Sequence, residues 1–240
     1  MKVLNLGCGT KTSPKAINID WSIYLTIKSN YFFRLCSPIV LGEDRRNKLR
    51  GLDRSILVHD IRKGLPFHDR SVDAVYHSHM FEHIDRSKAP VFLQEVKRVL
   101  VSGGIHRIVV PDLEYLARAY LQHVAQVKDD PSSACDHERY VSEMIEQMVR
   151  REAYGTRHQP FLRRALENLL LGDARARGET HQWMYDQCNL AHLLRENGFG
   201  NIRVRSFNNS AIPDWQSFGL EVKEDGSEYK PQSLYMEATA

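Results

Sequence analysis

The sequence predicts an α/β sandwich, and three observations predict it. Short apolar runs recur along the chain, helical patterns separate several of them, and the runs end on Gly, Asp, Ser or His. Strands alternating with helices pack as a parallel or mostly parallel sheet with helices on both faces.

The elements follow in order. Lys2–Leu6 is apolar and ends in Gly7-Cys8-Gly9, a strand and a tight turn. Ala16–Ile19 ends at Asp20, Ser55–Val58 at His59-Asp60, and Val72–Tyr76 is the fourth strand. A helix is predicted from about Ser87 to Leu100, started by Asp85 and Ser87, with Pro90 tolerated in its first turn. Leu93, Val96 and Leu100 share its apolar face, and Gly103-Gly104 stops it. Ile105–Val110 is the fifth strand, closed by Pro111-Asp112. Asp186 caps a last helix carrying Leu190, Leu193 and Leu194, with Gly198 at its end. Asn201–Ser206 and Ser233–Ala238 complete seven strands.

The composition bounds the class. At 240 residues the chain is read as one enlarged domain, 1–240. Its 42% hydrophobic and 26% charged residues exclude wholesale disorder and coiled coil. A net charge of +3 gives no reason to expect a nucleic-acid partner. No apolar run is long enough to predict a spanning helix, and the amino terminus does not resemble a signal peptide. Cys8, Cys36, Cys135 and Cys188 form no CxxC pair and read as reduced thiols, so a cytoplasmic location is expected.

Two stretches break the alternation, about 21–54 and 113–180. Each follows the carboxyl end of a strand, where open α/β sheets bind ligands, so they read as a lid or acceptor-site wall, or else as extra core. Arg150–Arg177 holds seven arginines against three acidic residues. Arginine forks suit phosphate, which points to a phosphate-bearing acceptor or an anionic membrane surface, or simply to the solvated face of a helix. Tyr31-Phe32-Phe33, beside Lys28 and Arg34, reads as peripheral membrane contact or as lid core.

The strand ends carry the chemistry. Gly7-Cys8-Gly9 lets a ligand approach the main chain. A dinucleotide fingerprint needs a glycine where Thr12 stands, and Asp20 lies too soon after Gly9 for a full crossover helix. A ligand with a ribose and no phosphates suits the loop better. Asp20 suits the two ribose hydroxyls and Asp60 an adenine amino group, although single Asp residues more often serve turns and caps. Ser78, His79 and Phe81 end the fourth strand, and Glu82-His83 follow.

With these residues the chain resembles the class I S-adenosylmethionine-dependent methyltransferases, particularly methyltransferase-domain proteins encoded among bacterial surface-polysaccharide genes. The matching text is Val3–Gly9, Ile17–Asp20, Asp60, Leu65–Phe67, Ser71–Tyr76, Glu82–Ile84 and Glu95–Leu100 before Gly103-Gly104. Ile212-Pro213 and Lys230–Tyr235 match that subgroup too. The resemblance implies a Rossmann-like, mostly parallel seven-stranded sandwich with helical insertions, and S-adenosyl-L-methionine as cofactor. It implies methionine contacts at Gly7, Cys8 and Gly9, ribose at Asp20, adenine near Trp21, Asp60 and Ile61, and a reaction centre lined by Ser78 and His79. Most relatives carry an acidic residue where Asn5 stands and many a glycine where Lys11 stands; Asn5 is retained as a loop or cofactor contact.

The implied reaction is O-methylation of a sugar or glycan precursor. A hydroxyl acceptor needs a base, and His79, His83 and His181 are the candidates, each of which is as readily a structural histidine. His79-Met-Phe-Glu82-His83 also matches an inverted zinc-hydrolase pattern. The segment lies where such a chain turns and the sequence singles out no third ligand, so no metal is expected. Two competing readings are a non-catalytic methyltransferase-like binding or assembly protein and a nucleotide-dependent oxidoreductase. Oligomeric state is not legible.

Overall fold

Runs that are apolar at consecutive positions bury both faces of a strand, and β1 (Val3–Leu6) is buried throughout. The computed structural model describes residues 1–21, 25, 51, 53, 55–148 and 180–240. In it β1 is joined by β2 (Ile17–Asp20), β3 (Leu57–Val58), β4 (Val72–Ser78), β5 (Leu100–Pro111), β6 (Gly200–Arg205) and β7 (Ser233–Thr239) in a single seven-stranded sheet of order β3-β2-β1-β4-β5-β7-β6. β7 runs antiparallel to both β5 and β6, and the other pairs are parallel. This is the mostly parallel, Rossmann-like sandwich that the resemblance implies.

Four helices are described: α1 (Ala89–Val99), α2 (Leu113–Asp129), α3 (His137–Met148) and α4 (Gln187–Glu196). Phe92, Leu93, Val96 and Val99 of α1 and Leu190, Leu193 and Leu194 of α4 pack with Leu4, Leu6, Val75 and Ile108 in one core layer. Val3, Tyr76 and Val109, alternating with those strand positions, face the other way. Among the described residues, Ile212, Leu220 and the 3₁₀ turn Trp215–Phe218 cover that second face, where the sequence led us to expect a helix. Pro213 and Gly219 bracket too short a segment for one, so bulky Trp215 and Phe218 fill the space instead.

Each layer buries polar groups. Arg107, fully enclosed, donates from Nε to Glu221 at 2.8 Å and from Nη1 to Glu237 at 2.8 Å, and Trp215 Nε1 donates to Glu221 at 2.7 Å. Burial raises the Glu221 carboxyl. Burial would raise Glu237 too, but hydrogen bonds from Ser210, Ala211 and Arg107 outweigh it and hold Glu237 low. In the opposite layer His77 and His106 meet Nε2 to Nε2 at 3.0 Å, both fully buried.

The helix boundaries shift from expectation. α1 begins at Ala89, because the Asp85 carboxylate accepts from the Ser87 N–H and hydroxyl in a turn ahead of the helix rather than capping it. It ends at Val99: Leu100 is extended and pairs with Val72, so β5 starts five residues earlier than predicted. A bulge between Leu100 and Ile105 accommodates Gly103-Gly104 within the strand rather than at a helix stop. α4 behaves as expected, with Asp186 accepting from the Cys188 and Asn189 N–H groups at 2.8 Å. The second insertion opens as helices α2 and α3 around the 3₁₀ turn Pro131–Asp136. Tyr31-Phe32-Phe33, Arg150–Arg177 and nearly all of 21–54 lie outside the described residues. Among those described, no helix is long and apolar enough to cross a membrane.

Candidate active site

The carboxyl ends of β1, β2, β3 and β4 bring the predicted residues to one edge of the sheet. No helix joins β1 to β2, as the short spacing from Gly9 to Asp20 required, so the connecting loop must satisfy its polar groups otherwise. Asn5 Nδ2 donates to the Lys11 carbonyl at 3.0 Å and to Asn18 Oδ1 at 2.9 Å. Asn18 returns a bond to the Ser13 carbonyl at 2.9 Å and accepts from the Ser13 N–H at 3.1 Å. Asn5, 2% exposed, thus holds the loop from beneath with both amide protons, and its predicted cofactor contact gives way to that role. Lys11 reaches the Val222 carbonyl at 2.8 Å, with its ammonium 4.6 Å from the centre of the Tyr229 ring.

Above this base stand the glycines. Gly7, at φ +63°, lies so close to Met80 that a Cβ would fall 2.5 Å from its Cγ. Gly9, at φ +54°, has nothing within 4 Å of its Cβ position among the described residues, and its N–H donates to Asp20 Oδ2 at 2.6 Å. The Cys8 thiol is buried and pushed up to about 12 by that burial and by Asp20, so it stays protonated. An open glycine backbone beside a carboxylate at the end of the next strand fits a ribosyl ligand without phosphates.

At the end of β3 the side chains engage each other. Asp60 accepts from Arg62 Nε at 2.8 Å and Nη2 at 3.1 Å, while the guanidinium lies 4.1 Å from the Trp21 ring centre. Burial would raise the Asp60 carboxyl, but the Arg62 bonds prevail and hold it low. Ile61 opens the 3₁₀ turn Ile61–Lys63 and packs on the core. Arg62, which sequence reading passed over, therefore covers one face of Trp21 and is itself half exposed.

The end of β4 gathers the histidines. Ser78 closes the strand. His79 takes a left-handed conformation, φ +49°, and the chain turns sharply into the 3₁₀ turn Phe81–His83. Its Nε2 meets Ser233 Oγ at 2.8 Å, and its Nδ1 lies 3.7 Å from Glu82 Oε1. Glu82 is 1% exposed, and His83 Nε2 approaches the same oxygen at 3.9 Å. The segment after residue 179 crosses this turn: Gln182 N–H donates to the Glu82 carbonyl at 2.7 Å, and His83 Nδ1 lies 3.0 Å from the Thr180 carbonyl. His181 thereby comes edge-on to His83, ring centres 4.8 Å apart. All three predicted histidines gather around Glu82, and one ligand atom each of Glu82, His83 and His181 lies within 4.8 Å of the others.

Part of the chain matches a known family. Residues 4–108, from β1 through most of β5, match the family model described as a methyltransferase domain, which supports S-adenosylmethionine as the cofactor. No curated protein matches the chain. Among solved structures, a methyltransferase from Methanosarcina mazei is 16% identical with a TM-score of 0.45, over 99% of this chain and 91% of that one. One from Archaeoglobus fulgidus is 14% identical at 0.42, over 100% and 86%. A Haloferax volcanii structure of the Trm112 methyltransferase activator with a methyltransferase is matched at 15% identity and 0.43, over 100% and 82%. Likenesses this distant carry no argument about substrate or partner.

Proposed function

We propose that the chain is an S-adenosylmethionine-dependent methyltransferase acting on an oxygen of a sugar or glycan precursor. The observation that carries the cofactor reading is the Gly9 backbone hydrogen-bonded to Asp20, within the segment that matches a methyltransferase domain. When bound, S-adenosylmethionine supplies a methyl group on a sulfonium, open to in-line attack by an acceptor oxygen. Asp20 would hold the ribose hydroxyls, the backbone of Gly7–Gly9 the methionine part, and Trp21, Asp60 and Ile61 the adenine. His79 would take the acceptor proton on Nε2, exchanging its contact with Ser233 Oγ, with the Glu82 carboxylate steadying the imidazolium through Nδ1. His83 and His181 complete the wall. The sugar acceptor rests on the family resemblance alone. In this reading 1–240 is one domain, the insertions wall the acceptor site, and the setting is cytoplasmic.

The test is calorimetric titration of the purified chain with S-adenosylmethionine and S-adenosylhomocysteine, with NAD as control. Micromolar binding of the sulfur ligands, weakened at least tenfold in Asp20→Ala, supports the reading. Binding of NAD alone would transfer the site to the oxidoreductase reading, and no binding would leave the non-catalytic scaffold.

A further inference from the structure

The cluster beside the proposed reaction centre has a composition that proton transfer alone does not require. One carboxylate and two imidazoles, from Glu82, His83 and His181, place one ligand atom each within 4.8 Å of the others. Ligands at 2.0–2.2 Å from a tetrahedral ion lie about 3.4 Å apart, so closure needs side-chain shifts of about 1 Å and no backbone rearrangement.

The surroundings orient the ligands as a metal site would. The His83 Nδ1 contact with the Thr180 carbonyl puts the neutral ring's proton on Nδ1 and its lone pair on Nε2, the atom facing Glu82. The same short segment that supplies Thr180 also supplies His181, and Gln182 ties it to the Glu82 carbonyl. The ligands therefore come from two chain segments locked by main-chain bonds. Met80, two residues before Glu82, packs against Gly7 of the cofactor loop.

We infer that Glu82, His83 and His181 form a binding site for one divalent transition-metal ion, supplying three protein ligands among the described residues. Two imidazoles and one carboxylate favour zinc, manganese or iron over magnesium and calcium, which prefer all-oxygen sites. Three protein ligands with an open position are the pattern of catalytic rather than structural sites. This inference deepens the proposed reaction and its chemistry rests on it: an acceptor hydroxyl on the ion would lose its proton more easily, and His79 would receive that proton. Occupancy of the site itself does not depend on that reaction.

The experiment uses the full chain, stripped with chelator and titrated with Co²⁺ in the absence of S-adenosylmethionine. Expected are one bound equivalent, a visible d–d spectrum of four- or five-coordination, displacement by Zn²⁺ and no displacement by Mg²⁺. His83→Ala, His181→Ala and the near-isosteric Glu82→Gln should each weaken binding at least about 10-fold, no less than the loss of an outer-shell partner costs. His123→Ala, at a histidine pair remote from the cluster, should leave it unchanged. Saturating Zn²⁺ should raise Tm in the native chain and not in the variants, whose folding is checked by cooperative melting without metal. Absence of stoichiometric binding, or binding indifferent to all three substitutions, overturns the site. Cofactor titration in chelator is read separately, so loss of either result leaves the other standing.

Discussion

Alanine at Gly7 and alanine at Gly9 should fail in different ways. Both positions have positive φ, +63° and +54°, and holding an alanine there costs about 1–2 kcal/mol. They differ in space. At Gly7 the new methyl would stand 2.5 Å from Met80 Cγ and 3.0 Å from Met80 Cβ, atoms too near the backbone to swing aside. Overpacking of that kind adds about 1–3 kcal/mol, so Gly7→Ala should lose about 2–5 kcal/mol and Gly9→Ala only about 1–2. At about 2–4 °C per kcal/mol for a chain of this length, the two melting temperatures should differ by about 2–12 °C. Ligand binding should rank differently. The Gly9 methyl points into open space that the cofactor is proposed to fill, so the stable variant should lose at least tenfold in S-adenosylmethionine affinity. Thermal melts and calorimetry on the same preparations measure both. Equal melting temperatures would refute the Met80 contact, and unchanged affinity in Gly9→Ala would refute the placement of the ligand.

Two further outcomes follow from buried polar groups. Burial pushes His77 down to about 3 and His106 well below its usual value; the folded state thus stays unprotonated while the unfolded chain protonates near 6.5, so stability is full above about pH 6.5 and falls as pH drops toward 3. At pH 5 His77 should cost about 2 kcal/mol relative to neutral pH with His106 acting in the same direction, and urea unfolding of the double variant His77→Leu/His106→Leu should show a flatter acid limb; an unchanged limb would exclude the pair as its cause. Asn5→Asp restores the acidic residue that relatives carry, yet a carboxylate cannot donate to the Lys11 carbonyl and Asn18 Oδ1. It should destabilise by about 2 kcal/mol or more in the same assay, and a neutral or stabilising result would mean that the loop is held by other bonds.

The first five strands were legible as apolar runs followed by turn residues, and β6 and β7 as alternating segments. Boundaries were less so: Leu100 fits the helical period of Leu93 and Val96, yet its pairing with Val72 prevails over that local pattern. The site divided in the same way. Gly7, Gly9 and Asp20 could be read from spacing along one segment. The approach of His181 to Glu82 could not, since it depends on main-chain bonds between segments about 100 residues apart. HxxEH spacing was the available signal for Glu82 and His83; His181 joins them only through the fold. Arg62 gave no signal, because an exposed arginine after an aspartate is common and the Trp21 ring it covers lies 41 residues earlier.

Asn5 and Lys11, the two residues that differ from the resembled pattern, both serve the loop after β1. Without a helix between β1 and β2, the loop that is to face the cofactor has no helical turn to organise its N–H and carbonyl groups. Asn5 and Asn18 take over that task from below. Lys11 takes it over from the side, through Val222 and Tyr229. That lateral support lies in a hairpin in which Val222 bridges Glu228 and the Tyr229 N–H donates to the Glu221 carbonyl. Glu221 in turn is fixed by Arg107 in the middle of β5 and by Trp215. The buried ion pairs of the second core layer thus extend their order to the glycine loop, and the carboxyl-terminal segment does for this chain what a crossover helix does elsewhere.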